Sequence, residues 1–172
     1  MITKIILAFF MLIGCMNQAC INEDDPQGIA LSKGDSLPDF SVTLSTGETV
    51  SNKTLRGKIP VIVFFNTGCP DCREELPVIQ KLWENYQNNP QVAVLAISRE
   101  EEASSIMSYW ISNNFTIPWS AQETKEVYSL FAPSIIPRIY ISDLSGKIVF
   151  SSTDVNMPNA ETLISEIESA RQ

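Results

Sequence analysis

Val61-Ile62-Val63-Phe64-Phe65-Asn66-Thr67-Gly68-Cys69-Pro70-Asp71-Cys72-Arg73-Glu74-Glu75-Leu76-Pro77 is the stretch on which the reading of this chain turns. Its first five residues are apolar at consecutive positions, the pattern of a strand buried on both faces. A short turn follows. From Pro70 to Tyr86, the residues Leu76, Ile79, Leu82, Trp83 and Tyr86 recur at helical spacing. Cys69 therefore falls at a helix N-terminus, where unpaired backbone N–H groups and the helix dipole favour a thiolate. Cys72 lies one turn on, on nearly the same face, where it can close a disulfide. The arrangement suits reversible thiol–disulfide exchange. Cys69, at the exposed end, is the expected nucleophile, and Cys72 the residue that resolves a mixed disulfide. Pro70 needs no N–H partner at the first helical position. Asp71 suits a helix start, but its charge opposes a thiolate beside it and makes the pair more reducing. Pro77 cannot donate to the carbonyl of Arg73, so the helix is expected to be interrupted there.

Working outward, Asp39 to Val50 reads as a hairpin, with Phe40, Val42 and Leu44 alternating before the turn Ser45-Thr46-Gly47. Val92 to Ile97 is a second buried strand. Ser104 to Asn113 is an amphipathic helix through Ile106, Met107, Trp110 and Ile111, and Glu123 to Phe131 a shorter one. Arg138 to Ser142 and Lys147 to Ser151 are strands joined by Asp143-Leu144-Ser145-Gly146. Asn159 to Ala170 closes the chain as a helix with Leu163, Ile164 and Ile167 inward.

Lys4 precedes an apolar run from Ile5 to Ile13 that is too short to span a bilayer, which takes about 20 residues. It fits the apolar region of an export signal. Leu12-Ile13-Gly14-Cys15 resembles the lipobox of bacterial lipoproteins, which implies a lipid on Cys15 as the mature N-terminus. Cys20 is a weaker lipidation site, because Asn17 and Gln18 precede it. The expected division is a signal peptide at 1–14, a tether at 15–34 carrying Asn22-Glu23-Asp24-Asp25-Pro26, and one domain at 35–172. The chain has 12 basic and 20 acidic residues, net −8, and loss of Lys4 with the signal takes it to −9. No basic stripe is present, which argues against nucleic acid and anionic lipid surfaces as partners. Histidine is absent, which excludes Cys–His hydrolysis and histidine metal sites. With Cys15 lipidated, Cys20, Cys69 and Cys72 are too few for a four-cysteine zinc site, so no metal is expected.

The order ββ-β-α-β-α-α-β-β-α, read with these motifs, resembles the thioredoxin fold. The likeness is to its exported TlpA/ResA-like branch, which has an extra N-terminal hairpin and an extra helix. It covers about Leu37 to Ala170. It rests on Phe64 to Pro77, with Cys-x-x-Cys and a helical proline in register, and on Ile135-Ile136-Pro137-Arg138-Ile139-Tyr140-Ile141. The resemblance implies an α/β fold, a central mixed sheet flanked by helices. It implies a redox-active Cys69–Cys72 disulfide with no other cofactor. It also implies a cis peptide before Pro137, which would put the Ile136 backbone beside Cys69 to pair with a partner peptide. Three positions depart from the wider thioredoxin pattern. Gly68 and Phe65 stand where tryptophans are common, and Val63 stands where thioredoxin has a buried acid. Proton transfer at Cys72 then needs another group, and Glu75 matches an active-site glutamate of the ResA-like branch.

The expected function is that of a membrane-tethered, periplasm-facing protein thiol–disulfide oxidoreductase that reduces particular exported proteins. It would be recharged by a membrane or periplasmic thiol donor. The acids Asp71, Glu74 and Glu75 argue against a strong oxidant. Two alternatives stand beside this. A peroxiredoxin-like thiol peroxidase would want Thr or Ser three residues before the nucleophile and Pro seven before, where the chain has Asn66 and Ile62. A non-catalytic binding or metal-carrier lipoprotein is the other. Copper-delivery relatives pair their cysteines with a distal histidine, which this chain lacks.

Overall fold

A computed structural model describes residues 28–171. The expected signal segment, Cys15 and Cys20 lie outside the described residues. The elements are β1 (Ser41–Thr43), β2 (Thr49–Ser51), β3 (Ile59–Phe65), α1 (Pro70–Tyr86), β4 (Val92–Ser98), α2 (Ala103–Asn113), β5 (Trp119–Ser120), α3 (Glu126–Ser129), β6 (Arg138–Ser142), β7 (Ile148–Ser152), a 3₁₀ turn at Asp154–Asn156 and α4 (Ala160–Ser169). β1 and β2 form the separate N-terminal hairpin. The main sheet runs β5-β4-β3-β6-β7, with β3, β4 and β5 parallel and β6 and β7 antiparallel to their neighbours.

β3 is buried along its whole length, as its unbroken apolar run requires. Its alternate residues feed two cores. Val61, Val63 and Phe65 meet Leu76, Ile79 and Leu82 of α1, Ile106 and Trp110 of α2, and Leu163 and Ile167 of α4. Ile62 and Phe64 meet Phe40, Val42 and Val50 of the hairpin region, Tyr128 of α3 and Phe131. The strand period of two divides the side chains between layers.

Four features differ from the sequence expectation. β5 has no counterpart there: only two residues pair, Trp119 with Ala96 and Ser120 with Ile97, too few to leave a periodic signal. α3 is four residues long rather than spanning 123–131, its turn cut off at Leu130. α1 runs unbroken through Pro77, because one missing N–H bond leaves the rest of the ladder intact and the buried face of Leu76, Ile79 and Leu82 holds the helix to the sheet. Within the segment expected as tether, the N–H of Leu31 donates to Phe131 O at 2.8 Å and that of Gly34 to Ile148 O at 2.8 Å. Packing against the domain thus reaches back before Asp35.

Candidate active site

β3 ends at Phe65, and Asn66 turns the chain into α1. The Asn66 side-chain oxygen accepts from Gly68 N at 2.8 Å, and its backbone oxygen accepts from Cys69 N at 3.0 Å. Its amide donates to Arg99 O at 3.0 Å, which ties the turn to the end of β4. Thr67 is buried, and both its backbone N–H, at 2.8 Å, and its hydroxyl donate to the Glu101 carboxylate. Arg73 Nε donates to the Thr67 carbonyl, and its guanidinium lies 5.7 Å from the Tyr109 ring centroid. The Asn66-Thr67-Gly68 turn is therefore clamped from β4, the β4–α2 connection and α1.

Cys69 is the N-cap of α1, in extended conformation and half-buried, with Pro70 at the start of the helix. Cys72, one turn on, is fully buried. Both thiols are free. Burial pushes the Cys72 thiol well above its usual range, Cys69 and the Asp71 charge push it further, and a backbone hydrogen bond from Asn66 opposes them. The Ile136–Pro137 peptide is cis. Ile136 presents its carbonyl to the site: Cys69 Sγ donates to Ile136 O at 3.7 Å. The structure thus brings Cys69, Pro70, Asp71, Cys72, Ile136 and Pro137 together at the end of β3 and the start of β6.

Glu75 is only 2 % exposed. Its Oε1 has no hydrogen-bond partner. Burial raises its carboxyl to about 7, and the charge on Glu74 adds to the rise. Val63, where thioredoxin has its buried acid, faces the same core as Cys72 and Leu76.

Several residues around the site leave little trace in the sequence. Glu101 sits in the run Arg99-Glu100-Glu101-Glu102, and nothing in that pattern singles out the buried one. Tyr128 and Arg138 hold the loop before Pro137: the Tyr128 hydroxyl faces the carbonyls of Ser134 and Ile135, and Arg138 Nη2 donates to Ser134 O at 3.1 Å. Arg138 does leave a signal, a charge opening an otherwise apolar strand directly after Pro137. Among the described residues, no group of three or more acidic or sulfur side chains could hold a metal ion.

Comparison with known proteins agrees with this geometry. The thioredoxin-like protein YneN of Bacillus subtilis is 26 % identical over 145 residues, which cover 83 % of this chain and 84 % of that one. The thiol-disulfide oxidoreductase ResA of Bacillus cereus is 23 % identical over 116 residues, 67 % of this chain and 66 % of ResA, so the match spans about two thirds of that protein. A solution structure from Bacteroides thetaiotaomicron, described as a candidate protein disulfide isomerase, superposes with a TM-score of 0.75 at 28 % identity, covering 81 % of this chain and 90 % of that one. The fold is thioredoxin-like, with the extra N-terminal hairpin of β1 and β2. Residues 33–151, from ahead of β1 to within β7, match the AhpC/TSA family, well over half of the sequence, and the chain belongs to that family.

Proposed function

We propose that this protein is a thiol–disulfide oxidoreductase of the ResA type that reduces disulfides in particular exported proteins. It would work from a membrane anchor on Cys15, facing the periplasm. The observation that carries the reading is the pairing of a half-exposed Cys69 at the start of α1 with a fully buried Cys72 one turn on, under the Ile136 carbonyl. The relatives named as thioredoxin-like and thiol-disulfide oxidoreductase proteins support the same chemistry.

The Cys69 thiolate attacks one sulfur of a substrate disulfide. That S–S bond breaks, and the departing substrate sulfur leaves as a thiolate that takes up a proton. Cys72 loses its proton and attacks the Cys69 sulfur. The Cys69–Cys72 disulfide forms and the second substrate thiol leaves, so two electrons have passed from the protein to the substrate. An external dithiol must return two electrons and two protons. The substrate strand would pair with the Ile136 backbone beside Pro137. Glu75, poised near neutral pH, is the group suited to take the Cys72 proton. Burial and the Asp71 charge disfavour a Cys72 thiolate, so this thiol keeps its proton until a base takes it. The buried Thr67 hydroxyl is committed to Glu101, so it is not free to polarise a peroxide, and the peroxidase alternative gains nothing from it.

Two measurements test this. Cys72→Ser should accumulate a mixed disulfide through Cys69, whereas Cys69→Ser should abolish turnover without an adduct. Adducts on Cys69→Ser would reverse the roles. The reduction potential of the pair should lie nearer about −270 mV, as in thioredoxin, than the about −120 mV of a strong oxidant, with about 30 mV equal to 1.4 kcal/mol for this couple.

A further inference from the structure

The loop from Ala132 to Pro137 carries an unusual backbone. Ile135 has φ 75°, a left-handed value that a β-branched residue rarely adopts. Its side chain is 46 % exposed, so burial of that side chain does not hold the conformation. Backbone of this kind persists where surrounding groups over-determine it, and it clusters at ligand clamps. Here the surrounding groups are polar and come from two different elements. The Tyr128 hydroxyl, from α3, lies 2.5 Å from Ile135 O and also within hydrogen-bond reach of Ser134 O, sharing its single proton between the two carbonyls. Arg138, the first residue of β6, donates from Nη2 to the same Ser134 O.

Both side chains are fixed from behind. Tyr128 is fully buried, its ring edge-on to Phe64 at 5.2 Å. The Arg99 guanidinium lies over that ring at 5.2 Å. Arg138 is 7 % exposed, its backbone is in register with Phe64, and among the described residues no carboxylate pairs with it. A guanidinium so buried has only the loop carbonyl to satisfy it on that side, and its Nε has no partner. A buried cation left without a carboxylate is costly in a fold that needs only packing at this position. Burial raises the Tyr128 phenol above its usual value, so it stays protonated, and a donor, throughout the neutral range. The loop they grip ends one residue later at Ile136, whose carbonyl faces Cys69.

We infer that Tyr128 and Arg138 are positioning residues that set the backbone of Ile136 for an extended peptide flanking the substrate disulfide, and so act on substrate recognition rather than on sulfur chemistry. The inference rests on the redox reading above and extends it. The hydrogen bonds of both side chains go to the loop carbonyls and not to a sulfur, so both act through the Ser134–Ile136 backbone.

The test compares two disulfides, with dithiothreitol as electron source. Insulin offers backbone on both sides of its disulfides; hydroxyethyl disulfide offers none. In the full chain, Tyr128→Phe keeps the ring and removes the donor. Its KM for insulin should rise about fivefold, the effect of one lost hydrogen bond of about 1 kcal/mol, while turnover of hydroxyethyl disulfide falls by much less. Arg138→Leu should move the insulin KM the same way, and Arg138→Lys, which keeps a donor, should recover part of it. Thermal melts run alongside separate a folding defect from a recognition defect, and Tyr128→Phe decides the matter if Arg138→Leu does not fold. Equal losses on both substrates, or an unchanged insulin KM in Tyr128→Phe, overturn the inference while leaving the redox reading standing. A wild-type protein that reduces neither disulfide overturns the redox reading itself.

Discussion

At the scale of single residues, Glu75 is a buried carboxyl on the helix that carries Cys72, with one oxygen unpartnered. Its carboxyl is raised to about 7 in the fold, whereas in the unfolded chain it titrates near the ordinary value of 4.5. Between those two values the folded state holds a proton that the unfolded state has released. Stability from this group is therefore complete below about pH 4.5 and is lost as pH rises through about 7. The size is on the order of 3 kcal/mol, at about 1.36 kcal/mol for each pH unit that separates the two values. Glu75→Gln removes the titration and keeps the shape. Urea unfolding at pH 5 and pH 8 should show wild type weakening across that interval and the variant changing much less. The same substitution should flatten the pH dependence of turnover between about 6 and 8, since a carboxyl matched to the working pH is the efficient proton carrier. An unchanged profile would remove Glu75 from the proton path and leave it a buried acid without a role.

At the scale of elements, the site is a junction of one strand end, one helix start and two loops. α1 supplies Cys72 and Glu75, with Cys69 as its N-cap, and it is held by Leu76, Ile79 and Leu82 against β3. Its start is steered by the turn that Glu101 grips through Thr67. Glu101→Ala would leave the buried Thr67 N–H and hydroxyl without an acceptor, at a cost of about 1–3 kcal/mol per orphaned group. A fall in thermal midpoint together with slower reaction at Cys69 is the expected result. Thr67→Val with Glu101→Ala should show less than the summed loss, because the two residues act as one unit. Additive losses would mean the clamp is not shared between them.

At the scale of the whole molecule, the sheet separates two cores. The active-site helix packs on one, and the hairpin, α3 and the Tyr128 brace pack on the other. β3 belongs to both; Cys69, beyond its end, packs against the first core, and Ile136 packs against both. The chain carries a net charge of −8, and no described helix is long and apolar enough to cross a membrane. The membrane link in the proposed reading is a lipid on Cys15, in Leu12-Ile13-Gly14-Cys15. Replacing Cys15 with Ser should shift the protein from the membrane to the soluble fraction or leave the signal uncleaved. Recovery of the wild-type protein in soluble form with an N-terminus beyond Cys20 would refute the lipid.

Some of this was decided by the sequence alone. α1 has the boundaries read from periodicity, Pro70–Tyr86, and β3, Ile59–Phe65, contains the apolar run Val61–Phe65, because a buried strand and an amphipathic helix write their burial into consecutive residues. The placement of Cys69 and Cys72 at the strand-to-helix turn followed from the same pattern. The hairpin, β4, α2, β6, β7 and α4 were likewise legible to within a residue or two. Other features exist only through contacts between distant segments. β5 is two residues paired to β4. Glu101 is singled out from its acidic neighbours by the Thr67 turn that packs over it, 34 residues away in the chain. The carboxyl of Glu75 rises because of what packs around it, since desolvation is a property of surroundings and has no local sequence pattern. Tyr128 and Arg138 meet the same carbonyl because α3 and β6 converge on one loop, and only the tertiary structure brings them there.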